Sequence, residues 1–229
     1  MNTLGIVVAC GKEEEVAPGT EAAFLTLGNM PMFVHSLQVF EKSPVVDGVI
    51  IAVAKERIDA TVHAIRRFGC TKIKGIVVGS TTRLTTLRTV FSKMPEPASL
   101  IVIHEASRPF LKPEYLEETV KAAKRYGCSI AAHRLPGSAK YAKKGMKATE
   151  TLERNAVWIA QTPQVFKSDV IGKIIDAKSK NVKIIDDESE YVRKPAEVHM
   201  VEVGDGNNMK VRSSRDLAIA TALLNAKLV

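Results

Sequence analysis

Aromatic residues make up only 5% of this 229-residue chain, Trp158 is the one tryptophan, and there are three cysteines. With the lysines and arginines scattered over the whole length, no basic helix or stacking motif of a nucleic-acid reader can be assembled. Cys10, Cys70 and Cys128 are an odd number without metal-ligand spacing, which excludes a structural zinc site and predicts reduced, packed thiols. No apolar run approaches the ~20 residues of a membrane span, and the segment Leu4 to Cys10 lacks the basic flank and cleavage site of a signal peptide. No membrane partner is therefore expected, and the cytoplasm is the expected location. A further scarcity is local. The apolar run Leu4 to Ala9 reads as a buried parallel strand that delivers the loop after it to the carboxyl edge of a sheet, where ligands bind in open α/β folds. A loop that cradles phosphate there needs glycines and basic side chains, yet this one reads Lys12-Glu13-Glu14-Glu15 and then Glu21-Ala22-Ala23.

What is present fits one large domain. Hydrophobic content is 45% and mean hydropathy is near zero, so the chain can bury a full core. The formal charge of +8 calls for an anionic partner, and without nucleic-acid motifs a small phosphorylated ligand is favoured.

Strand and helix alternate along the chain. Apolar runs at Val49 to Ala54, Ile73 to Val78, Leu100 to His104 and Ser129 to Ala132 predict strands. Helical stripes predict helices over Met32 to Lys42, Glu56 to Phe68 and Arg83 to Lys93, and a fourth from Pro113 that Gly127 ends. Between Arg134 and Asn155 the periodicity gives way to Pro136-Gly137, Gly145 and a run of lysines, an arm leaving the core in which Lys140 to Lys147 is most simply a solvated hairpin. Regular structure resumes with Val157 to Gln161, Ser168 to Lys178 predicts a helix, Asp186-Asp187-Glu188 a polar turn and Val198 to Val203 a further strand. Ser213-x-x-Asp216 reads as a capping-box start for the last helix. The expected architecture is α/β, a Rossmann-like three-layer α/β/α sandwich with a mostly parallel sheet and a protruding β-arm.

Four constellations follow predicted strands. Gly79-Ser80-Thr81-Thr82-Arg83 with Thr86 is either an anion-binding strand-to-helix turn or a capped helix. His104-Glu105-Ala106-Ser107-Arg108-Pro109 offers a carboxylate for Mg²⁺ or a structural ion pair. The remaining two are Arg154-Asn155 with Trp158 and Gln161 to Gln164, and Asn208 to Val211.

In this order and spacing the four segments resemble the 2-C-methyl-D-erythritol 4-phosphate cytidylyltransferase family, whose relatives include enzymes that activate ribitol phosphate. His104 to Pro109 answers that family's H-D-A-A-R-P. Arg154, Asn155, Trp158, Thr162, Pro163, Gln164 and Phe166 answer R-N-x-x-W-x-x-x-T-P-Q-x-F, and Asn208 to Arg212 answers N-I-K-V-T. Gly79, Arg83 and Thr86 follow G-G-x-x-R-x-x-S-V, and Phe24 to Ser36 follows F-L-x-L-G-N-x-P-x-x-x-H-S. The resemblance implies a single nucleotidyltransferase-like domain over residues 1–229 that transfers the cytidylyl group of CTP to a phosphorylated sugar alcohol in isoprenoid precursor synthesis, releasing pyrophosphate with Mg²⁺. It implies nucleotide binding by Ala9, Cys10, Gly11, Gly79, Arg83, Thr86 and Ala106, and acceptor binding by Ser138, Arg154, Thr162 and Lys210. Glu105 would hold the metal, Arg154 and Lys210 would be catalytic, and the arm over 134–155 would join a homodimer in which Arg154 serves the partner's site.

The departures gather in the opening loop. The arginine and lysine that face the triphosphate in the family fall on Glu15 and Ala22, its second glycine falls on Glu13, its metal aspartate is Glu105, and the arm's Asp-Thr pair is Gly137-Ser138. Losing one charged donor costs ~3–4 kcal/mol, and a carboxylate ~6 Å from a phosphate adds about 3 kcal/mol. Together that is on the order of 10⁴–10⁵ in rate. Lys12 is the basic residue within the loop placed to compensate as a catalytic cation. Two readings stay open: the family reaction persists, or the chain is a catalytically degenerate homologue that keeps the dimeric fold and an anion pocket as a binding or scaffold protein.

Overall fold

The first apolar run becomes the centre of the molecule. In the computed structural model, which describes residues 1–176, 189, 197–204 and 208–229, strand β1 (Thr3–Ala9) is buried along its whole length. It pairs in parallel with β2 (Gly48–Val53) on one side and β4 (Leu100–Glu105) on the other. Strand β3 (Ile73–Val78) extends the sheet beyond β2. On the opposite wing lie β5 (Gly127–Arg134), β6 (Trp158–Lys167) and β7 (Glu197–Glu202), giving the order β3-β2-β1-β4-β6-β5-β7. Only β6 runs antiparallel to its neighbours.

Alternation along β1 builds the layers. Val7 and Ala9 face one side, where they meet Phe33, Leu37 and Phe40 of α1 (Met32–Lys42), Ala64 of α2 (Ile58–Arg67), and Leu116 and Val120 of α4 (Pro113–Tyr126). Leu4, Ile6 and Val8 face the other side, with Leu87 and Val90 of α3 (Arg83–Ser92) and Ile171 and Ile174 of α5 (Ser168–Asp176). The three-layer sandwich follows from that period of two. A smaller cluster joins Ala220 of α6 (Ser214–Asn225) to Ala22, Leu27, Met32, Phe110 and Val211, and so ties the carboxyl-terminal helix to the far end of the opening loop.

Several expected boundaries shift. Strand β6 runs through Thr162-Pro163-Gln164 rather than stopping at Gln161, and its register changes at that point, the irregular position where a proline is tolerated in a strand. Strand β5 begins at Gly127, whose φ of 94° both ends α4 and turns the chain into the strand. The arm is a two-stranded ribbon, Ala139–Tyr141 against Glu150–Leu152, with an exposed tip between. Ser213 caps α6, its hydroxyl accepting from the Asp216 N–H, while the Asp216 carboxylate reaches the Arg212 N–H. The expected end of α5 at Lys178 and the turn at 186–188 lie outside the described residues. No described helix is long and apolar enough to cross a membrane.

One glycine is fixed by packing at the sheet centre: a Cβ on Gly5 would lie 2.5 Å from the buried Phe40 ring. Gly5→Ala is expected to cost ~1–3 kcal/mol through overpacking. Gly137→Ala, where nothing lies within 4 Å, should be neutral. Urea unfolding midpoints at constant m-value compare the two.

Candidate active site

The chain builds β1, β2 and β3 outward in one direction, then returns to lay β4 on the other side of β1. The loops after β1 and β4 therefore diverge at their carboxyl ends, the crevice where open α/β sheets bind ligands. Glu105, the last residue of β4, stands in it.

Three cations converge on this carboxylate. Arg108 folds back so that its Nε donates to Glu105 Oε2 at 2.6 Å, and its other arm donates to the Asn208 carbonyl. Lys210 Nζ lies 2.7 Å from Glu105 Oε1, and an Arg83 nitrogen lies 3.7 Å from the same oxygen. Burial works to raise the Glu105 pKa, but Arg108, Lys210 and Arg83 outweigh it and hold the carboxyl well below the usual range. Lys210 has a second anion: Glu14 Oε1 is 2.8 Å away, and both side chains are about 5% exposed or less. Burial pushes the Glu14 pKa up against the pull of Lys210 and of a hydrogen bond from Ser107.

The bed beneath these charges is a neutral polar chain. Thr162 Oγ1 accepts from the Glu105 N–H at 3.0 Å and meets His104 Nδ1 at 3.1 Å, while His104 Nε2 lies 3.2 Å from the Arg108 carbonyl. A neutral imidazole protonated on Nε2 satisfies every contact. Burial supports that state by driving the His104 pKa down to about 3. Asn208 Nδ2 donates to Gln161 Oε1 and the Thr162 carbonyl, and the Val211 N–H donates to the Ser107 carbonyl, which docks the segment carrying Lys210.

Above lies a cleft of about 580 Å³ lined by Arg83, Arg108, Lys210 and Arg212 around Glu105, with Trp158 and Ile159 as an apolar wall. Its volume falls in the range of small-molecule sites, and its charge suits a phosphorylated ligand. Protein carboxylates alone do not make a metal site here, since no described group of three or more His, Cys, Asp or Glu could hold an ion. A single carboxylate such as Glu105 is the kind of group that, with phosphate oxygens, would hold Mg²⁺ arriving on a substrate, and here Arg108 and Lys210 take its two oxygens.

The structure gathers some expected residues and separates others. Arg83, Glu105, Thr162 and Lys210 share the cleft. Ala9, Cys10 and Ala106 lie buried behind it, with Gly11 at their edge at φ 105°. A Cβ on Gly79 would lie 2.1 Å from Cys10 Sγ, and burial raises that thiol to about 11. The turn at 79–82 is capped: Thr82 accepts from the Thr85 N–H, and Thr86 Oγ1 accepts from the Ser80 N–H. The Glu105–Arg108 ion pair is likewise realised. Lys12 is exposed on a short turn, and Ser138 and Arg154 are exposed on the arm and do not line the cleft of their own chain. Ala22 is fully buried among Leu27, Met32 and Phe110, so a lysine there would have to leave that cluster.

Sequence reasoning missed Glu14 and Arg212. The signal for Arg212 was its place two residues beyond Lys210. For Glu14 it was only the run of three glutamates.

A mostly parallel α/β sandwich with a cation-lined cleft at its switch point is an architecture suited to a phosphate-bearing ligand. The sequence pattern of the 2-C-methyl-D-erythritol 4-phosphate cytidylyltransferase (IspD) family matches residues 3–226, and the chain belongs to that family. It is 27% identical to the cytidylyltransferase of that name from Alkaliphilus metalliredigens, over 97% of this chain and 92% of the relative. It is 32% identical to the bifunctional enzyme IspD/IspF of Desulforudis audaxviator, over 97% of this chain and 57% of that longer protein. The crystal structure of 4-diphosphocytidyl-2C-methyl-D-erythritol synthase from Anaerococcus prevotii superposes with a TM-score of 0.86 at 22% identity, covering 98% and 96% of the two chains, which confirms the fold.

The buried imidazole predicts an acid-sensitive fold. His104 titrates near 3 in the folded chain and about 6.5 when unfolded, so its contribution is complete above pH 6.5 and lost as pH falls toward 3. By pH 5 the loss is about 2 kcal/mol. Glu105, with its depressed pKa, adds a loss at lower pH, whereas the raised Glu14 opposes it. Urea stability measured at pH 8 and pH 5 should fall by about 2 kcal/mol more in the wild type than in His104→Asn.

Proposed function

We propose that this chain transfers the cytidylyl group of CTP to 2-C-methyl-D-erythritol 4-phosphate and releases pyrophosphate. The observation that carries the reading is the convergence of Arg83, Glu105, Thr162 and Lys210, drawn from distant parts of a family member, on one cleft. In the reaction an acceptor phosphate oxygen attacks the α-phosphorus of CTP while the bond to the β-phosphate breaks, and pyrophosphate leaves with the electron pair. Negative charge grows on the transferring and leaving phosphates, where fixed cations lower the barrier most. Arg83 and Lys210 supply that charge from the cleft floor and Arg212 from its rim. This positive wall offsets part of what the opening loop lacks. Glu105 would be the residue to hold Mg²⁺, and the chemistry such an ion supplies is neutralisation of phosphate charge. Thr162 and the Glu105 N–H keep β4 and β6 in register beneath the reacting groups.

The reading extends to a cytoplasmic homodimer. It is supported by three free, buried cysteines, and by an arm whose exposed Ser138 and Arg154 would reach a partner's cleft. Deleting Pro136 to Ala148 should convert dimers to monomers in sedimentation velocity, and an unchanged dimer would reject the arm as the joint.

The activity itself is read as pyrophosphate release from CTP, methylerythritol phosphate and Mg²⁺, with no release when the acceptor is omitted. Arg83→Met should lower kcat/KM by about 10²–10³. Absence of acceptor-dependent release from the folded protein would refute the proposal.

A further inference from the structure

The two carboxylates on Lys210 are held very differently. Glu105 sits at the end of a central strand with both oxygens engaged, by Arg108 on one and Lys210 on the other. Glu14 comes from the opening loop, on a single turn, Lys12–Glu14, held by the Glu14 N–H to the Gly11 carbonyl at 3.0 Å and the Lys12 N–H to the Thr81 carbonyl at 3.4 Å. One of its oxygens reaches Lys210, and the Ser107 side chain is its other hydrogen-bonding neighbour.

The loop also leaves little open space beneath it. Beside the cleft, the pocket bounded by Cys10, Gly11, Glu14, Thr81 and Arg83 measures about 10 Å³, room for about one water molecule, whereas small-molecule sites span ~300–1,000 Å³. The ends of the loop are fixed, by β1 at one side and by Ala22, Ala23 and Leu27 in the core at the other. Between them lie two glycines in the left-handed region, Gly11 at φ 105° and Gly19 at φ 71°, and a short ribbon, Glu15–Ala17 with Thr20–Glu21. Arg57 grips Glu21 at its far end.

We propose that the Glu14 carboxylate occupies on Lys210 the place of a substrate phosphate oxygen, so that the resting chain is self-blocked and the 11–21 segment must swing out before a nucleoside triphosphate can bind. The proposal rests on the reading of Lys210 as a phosphate cation, and deepens it by making Glu14 the residue that sets nucleotide affinity. A carboxylate carries one charge and a triphosphate several, so the exchange on Lys210 favours the ligand once the loop has opened. If the open form is 1–10% of the population, apparent affinity falls ~10- to 100-fold below the intrinsic value.

Titration calorimetry with CTP and Mg²⁺, and separately with inorganic pyrophosphate, tests this on wild type, Glu14→Gln and Glu14→Ala. Both variants should bind at least ~10-fold tighter, with the change in KM for CTP rather than in kcat. Because removal of a buried carboxylate can disturb folding, hydrogen exchange on the wild type serves beside it. Amides of residues 11–21 should exchange faster once pyrophosphate is bound. Equal or weaker binding by folded variants, or unchanged exchange in the saturated wild type, overturns the proposal. Wild-type turnover without tightening in the variants would sink the block and leave the reaction standing. Tightening without turnover would sustain the block and refute the reaction.

Discussion

A buried ammonium between two carboxylates organises this molecule. Taking Lys210 out of water is costly, and Glu105 at 2.7 Å and Glu14 at 2.8 Å offset that cost. Because the three groups come from the opening loop, the end of β4 and the segment before α6, their pairing fastens parts of the chain about 200 residues apart. Arg108 is what allows two anions to share one lysine: it takes over half of Glu105, and it reaches the Asn208 carbonyl on the strand of chain that brings Lys210 in.

That arrangement sits where the topology demands a crevice. The central parallel strands deliver their loops to one edge, and the reversal of strand order between β2 and β4 keeps the loops after β1 and β4 apart. The antiparallel β6 then inserts Thr162 and Gln164 beside Glu105 and Arg83, with Gln164 Oε1 accepting from Arg83 at 2.6 Å. The floor of the cleft thus keeps residues that match the family's motifs, and the loop above it departs from them. On that loop, Glu15 turns back to accept from the Gly19 N–H and Ala22 packs into the core, so the two positions where cations would be expected serve the loop's own structure.

The sheet was readable from sequence because β1, β2 and β4 are continuous apolar runs, and their order of alternation with amphipathic helices leaves few topologies. The gathering of Arg83, Glu105, Thr162 and Lys210 was readable only through motif resemblance, since no local pattern links them. Strand β6 was cut short because Gln161, Thr162 and Gln164 are polar and Pro163 resists pairing. Their burial is permitted by partners on other elements, including Asn208 and His104, that no window of sequence contains. Glu14 was hidden for the same reason. A glutamate in a run of glutamates reads as solvated, and the lysine that draws it inside is 196 positions away.

The most direct test of this account is a crystal structure of the protein with CTP and Mg²⁺. The account predicts a phosphate oxygen within hydrogen-bond distance of Lys210 Nζ, the Glu14 carboxylate withdrawn with its loop, and Glu105 still paired with Arg108. Nucleotide phosphates bound in the cleft with the Glu14–Lys210 contact intact would contradict it.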